Sequence, residues 1–108
     1  MEDCLFCKII KKEVPSEVVY EDESFIAIKD IKPKAPIHLL LIPKKHIASV
    51  DELAQNDKEL IGDLILAAKQ VARDNGLDKT GYKLNFNVGR GGGQLVDHIH
   101  LHLLSGFK

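Results

Sequence analysis

The sequence has no tryptophan, a single methionine and two cysteines, and its charges nearly cancel, fifteen basic residues against sixteen acidic ones. Each scarcity removes a class of function. Without a basic excess there is no electrostatic footprint for duplex nucleic acid or for an anionic membrane surface. The longest apolar run, IHLLLIP around Leu40, is far too short to span a bilayer. The opening MEDCLFCKII lacks the basic start and long apolar stretch of a signal peptide, so a cytoplasmic location is expected. There is no internal repeat, low-complexity stretch or linker. With 44% hydrophobic and 29% charged residues in 108, the composition is that of an ordinary globular protein, and one domain over residues 1–108 is expected.

The two cysteines stand together as Cys4 and Cys7, a C-x-x-C pair. In a reducing compartment a structural disulfide is disfavoured. A thioredoxin-like motif would sit between the strand and helix of a βαβ unit, and no strand precedes this one. Metal ligation, redox work and plain buried thiols remain open from the residues alone.

A short first helix is predicted over Leu5 to Lys12, with Asp3 as N-cap and Pro15 just beyond its end. EVVYE and SFIAIKDI, rich in β-branched and aromatic residues and separated by a polar turn at Asp22 and Glu23, read as a hairpin. IHLLLIP reads as the next strand, closed by Pro43. Ser49 with Glu52 and Asn56 with Glu59 both fit the capping-box spacing, which predicts a short turn leading into a longer helix. Leu60, Ile61, Leu64, Ile65, Ala68, Val71 and Ala72 recur with a period near 3.6 and predict its buried face. Gly76 is placed to end it. YKLNFNVG and HIHLHLL read as the last two strands, joined by RGGGQ. Nothing alternates strand and helix as a parallel sheet requires, so the fold class is α+β, an antiparallel sheet of five strands with one short and one long helix.

The last of these strands carries the chemistry. In HIHLHLL, His98, His100 and His102 recur at the period of an extended strand and share one face, while Ile99, Leu101 and Leu103 share the other. His38 opens the IHLLLIP strand and His46 follows its end, making five histidines in all. Any one of them is most simply a hydrogen-bonded or surface residue; three in a row on one strand face are harder to dismiss. Two chemistries suit the row. Neutral imidazoles two residues apart can hold one metal ion, or one imidazole can attack phosphorus while its neighbours hold the charged oxygens.

VGRGGGQ, just before the row, supplies four glycines that let backbone N–H groups approach an anion closely. It is neither a Walker loop, since no G-K-[ST] follows, nor a dinucleotide fingerprint, since a strand follows rather than a helix. Flanked by Asn87 and Gln94 it has the makings of a polar cradle. Arg90 is an exposed loop arginine of the kind usually solvated.

HIHLHLL resembles the H-x-H-x-H-x-x pattern, x being apolar, that names the histidine triad (HIT) superfamily of nucleotide hydrolases and transferases. FCKIIKKEVP, the KDI and P-x-A-P-x-H stretch, LLIPKKHI, NFNVGRGGGQ and LHLLSG are similar to the Hint branch, the purine nucleoside phosphoramidases, over nearly the whole chain and in the same order. The resemblance implies a phosphoramidase. His100 would attack the α-phosphorus of an adenosine or guanosine 5′-phosphoramidate to form a nucleotidyl-histidine, and water would release the monophosphate. His102 would bond the phosphate and the leaving group's side, with His38 supporting it; Asn87, Gly93 and Gln94 would surround the phosphate. Asp30 would hold the ribose hydroxyls, and Phe6, Ile9, Ile28 and Ile31 would form the base pocket.

The resemblance extends to bacterial members with an N-terminal C-x-x-C, and implies a structural zinc on Cys4, Cys7, His46 and His98. No cofactor is implied for catalysis, and a homodimer of two such sheets is. Two positions depart from the family's habits. Leu95 stands where some members place a serine able to touch the phosphate, and Asp97 replaces a common aromatic residue. The alternatives are a dinucleoside polyphosphate hydrolase of the same superfamily and a catalytically silent nucleotide- or zinc-binding interaction module.

Overall fold

A computed structural model describes residues 3–107. It holds helix α1 (Leu5–Ile10), strands β1 (Val18–Glu21), β2 (Phe25–Lys29) and β3 (Ile37–Pro43), helix α2 (Lys58–Asp74), and strands β4 (Lys83–Asn85) and β5 (Leu101–Ser105). The five strands form one sheet in the order β1-β2-β3-β5-β4, and every neighbouring pair is antiparallel. No helix among the described residues is long and apolar enough to cross a membrane.

Alternation along the strands sorts side chains to two faces. Phe25, Ala27, Leu39, Leu41, Leu101 and Leu103 pack against Leu64, Ala68, Val71 and Ala72 of α2. Ile26, Ile28, Leu40 and Ile42 point the other way and pack against Phe6 and Ile9 of α1. The central strands β2 and β3 are buried on both faces, which explains their near-continuous apolar runs. The α1 face of β3 and β5 also receives His38 and His102. Their registers, His38 opposite Leu104 and Leu40 opposite His102, make the two histidines diagonal neighbours within side-chain reach.

Several boundaries differ from the sequence reading, each for a local reason. Helix α1 ends at Ile10 rather than Lys12, because Lys12 turns to a φ of 65°. Its N-cap is Cys4 and not Asp3; the Cys4 Sγ accepts the Cys7 N–H at 3.4 Å. Ser49 does cap a short turn, a 3-10 helix over Val50–Glu52. The cap of α2, however, is Asp57 in place of Asn56, since the Asp57 carboxylate is drawn inward by the Ala54 N–H at 2.9 Å and Lys45 at 2.8 Å. Ile65, expected inside, is 39% exposed, and Leu66 beside it is 60% exposed, while Ala67 takes the inner position. Gly76 follows the helix end with a φ of 73°. Strand β4 covers only three residues of YKLNFNVG, and β5 begins at Leu101, so His98 and His100 precede the ladder.

Candidate active site

Although the ladder starts late, the histidine run stays extended enough to keep its rings on one face. The Ile99 N–H donates to the Ile47 carbonyl at 2.7 Å, in the segment after β3, and the Ile99 side chain is buried. The His100 and His102 rings lie 4.9 Å apart. Phe6 of α1 meets His100 edge-on at 4.9 Å and His98 at 6.0 Å. What distinguishes the three rings is the partner of each one's other nitrogen.

His98 is fully buried and its Nε2–H donates to the Pro43 carbonyl at 2.7 Å. Its Nδ1 therefore carries the lone pair. That atom lies 3.4 Å from Cys4 Sγ, 3.6 Å from Cys7 Sγ and 3.1 Å from His46 Nδ1, and Cys7 Sγ lies 3.3 Å from His46 Nδ1. All four donor atoms fall within 4.8 Å of one another. Bonds of roughly 2.0–2.3 Å to nitrogen and sulfur around a tetrahedron set ligand-to-ligand edges of about 3.3–3.8 Å. The spacing thus matches a tetrahedral ion's shell, and the cluster could hold a metal. Burial lifts the Cys7 thiol above its ordinary value, with Cys4 adding to the effect; burial likewise lowers His98, with His46 and His100 adding.

His100 donates its Nδ1–H to the carbonyl of His98 at 2.7 Å, which leaves the lone pair on Nε2. Among the described residues that atom has no hydrogen-bond partner, and no side-chain nitrogen or oxygen sealed from solvent lacks one; Nε2 is therefore open to solvent. Burial pushes the His100 pKa down, so the imidazole is neutral near pH 7.

His102 belongs to a third arrangement. The Lys34 N–H donates to His38 Nδ1 at 3.1 Å, so the His38 proton sits on Nε2 and is given to His102 Nδ1 at 2.8 Å. Asp30 Oδ2 lies 3.4 Å from the same His38 nitrogen. His102 is left with an Nε2–H, a donor. Burial, then the neighbouring His100 and His38, pushes its pKa down to about 4. Burial also lowers His38, against the opposing pull of Asp30. Asp30, His38 and His102 bring three possible ligand atoms together, but with Nδ1 of His38 taken by a backbone donor, its Nε2 has no lone pair to offer. The trio is a hydrogen-bond chain.

The glycine loop is built differently from expectation. Gln94 is only 2% exposed and its amide is committed to the backbone. Its Oε1 accepts the Gly89 N–H at 2.9 Å, and its Nε2 donates to Ala48 and Val96 carbonyls at 2.8 and 2.9 Å. Its side chain shapes the loop and has no spare donor for a phosphate. Asn87 holds the Gly92 carbonyl at 2.7 Å. Gly93 has a φ of 85°, and a Cβ there would stand 3.3 Å from Asn87 Nδ2, so only glycine fits comfortably. Arg90 is not simply solvated: it makes a two-pronged pair with Asp97 at 2.9 and 3.1 Å. Leu95 is exposed.

Of the residues expected around a nucleoside, Phe6, Ile9 and Ile28 come together in the α1-side cluster. Ile31 stands outside it, 89% exposed. Asp30 accepts the Lys32 N–H at 2.8 Å through Oδ1. The groups that fix the three tautomers, namely the Pro43 and His98 carbonyls and the Lys34 N–H, escaped sequence reading. Every residue has such backbone groups, so no side-chain signal could have found them.

The chain is similar to known proteins over nearly its full length. The profile of the family described as "Scavenger mRNA decapping enzyme C-term binding" matches residues 3–107. Protein HitA of Neisseria gonorrhoeae is 45% identical over 104 residues, covering 96% of each chain. A purine nucleoside phosphoramidase of Escherichia coli K12 is 42% identical over 105 residues, covering 97% of this chain and 88% of the relative. The crystal structure of a HIT family hydrolase from Legionella pneumophila superposes with a TM-score of 0.95 at 52% identity, covering 98% of this chain and 95% of that one.

Proposed function

Because this chain belongs to the histidine triad family, we propose that it hydrolyses the P–N bond of purine nucleoside 5′-phosphoramidates, with His100 as nucleophile. The observation that carries the proposal is the bond from His100 Nδ1–H to the His98 carbonyl. It fixes the tautomer whose free lone pair is on the solvent-open Nε2. A neutral imidazole, its pKa lowered by burial, needs no base to become nucleophilic.

In the proposed reaction Nε2 of His100 forms a bond to the α-phosphorus as the P–N bond breaks and the amine leaves. Water then attacks the nucleotidyl-histidine, releasing the nucleoside monophosphate and restoring the imidazole. Over the two steps, water supplies the amine's hydrogen and the phosphate's new oxygen. His102 presents its Nε2–H to the phosphoryl oxygens and the leaving group's side, and His38 holds that tautomer in place. The loop from Asn87 to Gly93 offers backbone N–H groups to the phosphate. Asp30 takes the ribose, and Phe6, Ile9, Ile28 and Ile31 take the base; the exposed Ile31 is available to cover a base from outside. Gln94 contributes by holding the loop.

For the cluster of Cys4, Cys7, His46 and His98 we assign zinc. Two sulfurs and two imidazoles close a tetrahedral shell with no open position, so the ion supplies structure and no Lewis-acid step. A homodimer is part of the same reading, and the exposed Ile65 and Leu66 of α2 give it an apolar surface to use.

The test is AMP release from adenosine 5′-phosphoramidate by the wild type and by His100→Ala. Turnover by the wild type, lost in a folded variant, is the expected result. A folded wild type that binds AMP but turns over only diadenosine polyphosphates, or nothing, would overturn the phosphoramidase reading in favour of polyphosphate hydrolysis or a silent binding module.

A further inference from the structure

The cysteine pair stands at the start of α1, the helix whose Phe6 meets His100 edge-on, and Cys4 is reached from outside. Cys4 and Cys7 are both free and half-buried. A cavity of about 410 Å³ is lined by Asp3, Cys4, Leu5, His46, Leu95, Val96 and Asp97, so a small solute reaches the cluster without unfolding the protein. Cys4 caps α1 and Cys7 lies one helical turn on, with the Cys7 N–H directed at the Cys4 sulfur at 3.4 Å. The two sulfurs lie within 4.8 Å of each other, and residues three apart on a helix have Cβ atoms about 5–6 Å apart. A modest closing of this first turn brings them into the range of a disulfide.

We propose that Cys4 and Cys7 form a peroxide-sensitive latch, whose oxidation to a disulfide dismantles the four-ligand cluster and loosens α1 from the histidine row. The chemistry needs a hydroperoxide and nothing else. One cysteine thiolate attacks a peroxide oxygen, the O–O bond breaks, and hydroxide leaves behind a sulfenic acid. The second thiolate attacks that sulfur, the S–S bond forms, and a second hydroxide departs. Both sulfur ligands are then lost, and His46 and His98 alone cannot complete a tetrahedral site.

The consequence runs through α1. That helix has six residues, too short to persist without tertiary anchors. Its anchors are the cluster at its N-terminus and the burial of Phe6 and Ile9 against the sheet. Phe6 is also the ring set edge-on against His100. Loss of the cluster removes one anchor from the helix that packs on the nucleophile. The oxidation stands on this geometry; the loosening of α1 rests also on the zinc proposed for the cluster, and the fall in turnover on the proposed phosphoramidase reading.

The experiment treats the zinc-loaded protein with hydrogen peroxide, beside glutathione as a free-thiol control. Four readouts follow: intact mass with disulfide mapping, zinc release to a chromophoric indicator, amide exchange of residues 5–10, and AMP release from the phosphoramidate. The expected result is a Cys4–Cys7 disulfide, one zinc released per chain, and exchange in α1 faster by about tenfold or more, all reversed by dithiothreitol with zinc. Turnover should fall in parallel. Thiols that survive a dose oxidising glutathione would overturn the latch, as would a protein that takes up no zinc. A disulfide that forms with α1 exchange unchanged would overturn the coupling. A reduced, zinc-loaded protein without turnover would count against the phosphoramidase reading only, because mass, zinc and exchange still report on the latch.

Discussion

The two ends of the histidine row use the same side chain in opposite ways. At the His98 end, a backbone carbonyl takes the ring proton and turns the bare nitrogen inward, toward two sulfurs and a second imidazole. At the His102 end, His38 fills the inner nitrogen and leaves a proton outward. His98 is sealed, whereas His102 is half-buried. One end is an anchor and the other a donor, and His100 between them keeps its lone pair outward. Sequence position gives three equivalent histidines; the hydrogen bond at each far nitrogen makes them different residues chemically.

Substitutions should separate these roles. His100→Ala should lower phosphoramidate turnover by roughly a thousandfold or more, as for removal of the proposed nucleophile, while zinc uptake by the four-residue cluster is unchanged. His98→Ala should show the reverse profile. It empties a fully buried site and removes one of the four clustered donors, so thermal or denaturant unfolding should reveal a loss of roughly 3 kcal/mol together with loss of the proposed zinc. If the His98 variant takes up zinc as the wild type does and keeps its stability, the contrast between the two ends is wrong.

His38→Ala should lie between them. Removing the donor that fixes His102's tautomer costs about the worth of one buried hydrogen bond, equivalent to a roughly tenfold fall in kcat. KM for the phosphoramidate and zinc stoichiometry should hold steady.

The last effect is on pH. His102 has its folded pKa lowered from 6.5 to about 4, and His38 is shifted the same way. The unfolded chain then binds more protons than the folded one between those values. Stability should be level above pH 6.5 and decline as the pH falls from 6.5 toward 4. Denaturation midpoints across that window should show the slope, and His102→Gln should make it shallower.

How much of this was legible depended on whether a feature lives in side chains or in the main chain. The antiparallel sheet followed from the alternation and apolar runs of β2, β3 and β5, and the helical period of α2 gave most of its inner face. Ile65 misled because a period near 3.6 admits two neighbouring inner positions, and of that pair Leu64 takes the sealed one. The C-x-x-C spacing is visible by eye, but its union with His46 and His98 spans 94 residues from Cys4 to His98 and was implied only by resemblance. The place of Gln94 was not readable, because its partners are carbonyls and an N–H that every residue possesses.

That buried glutamine has a consequence of its own. A run of glycines ordinarily spends its freedom only when a ligand arrives, and the ordering then weakens binding. Here one amide joins Gly89, Ala48 and Val96, Asn87 holds Gly92, and Arg90 closes on Asp97. The loop's conformational entropy is surrendered when the chain folds, so the phosphate proposed to bind there would meet a loop already in shape. A segment that looks like the most pliant part of the sequence is, in the folded protein, tied down by side-chain hydrogen bonds along its length.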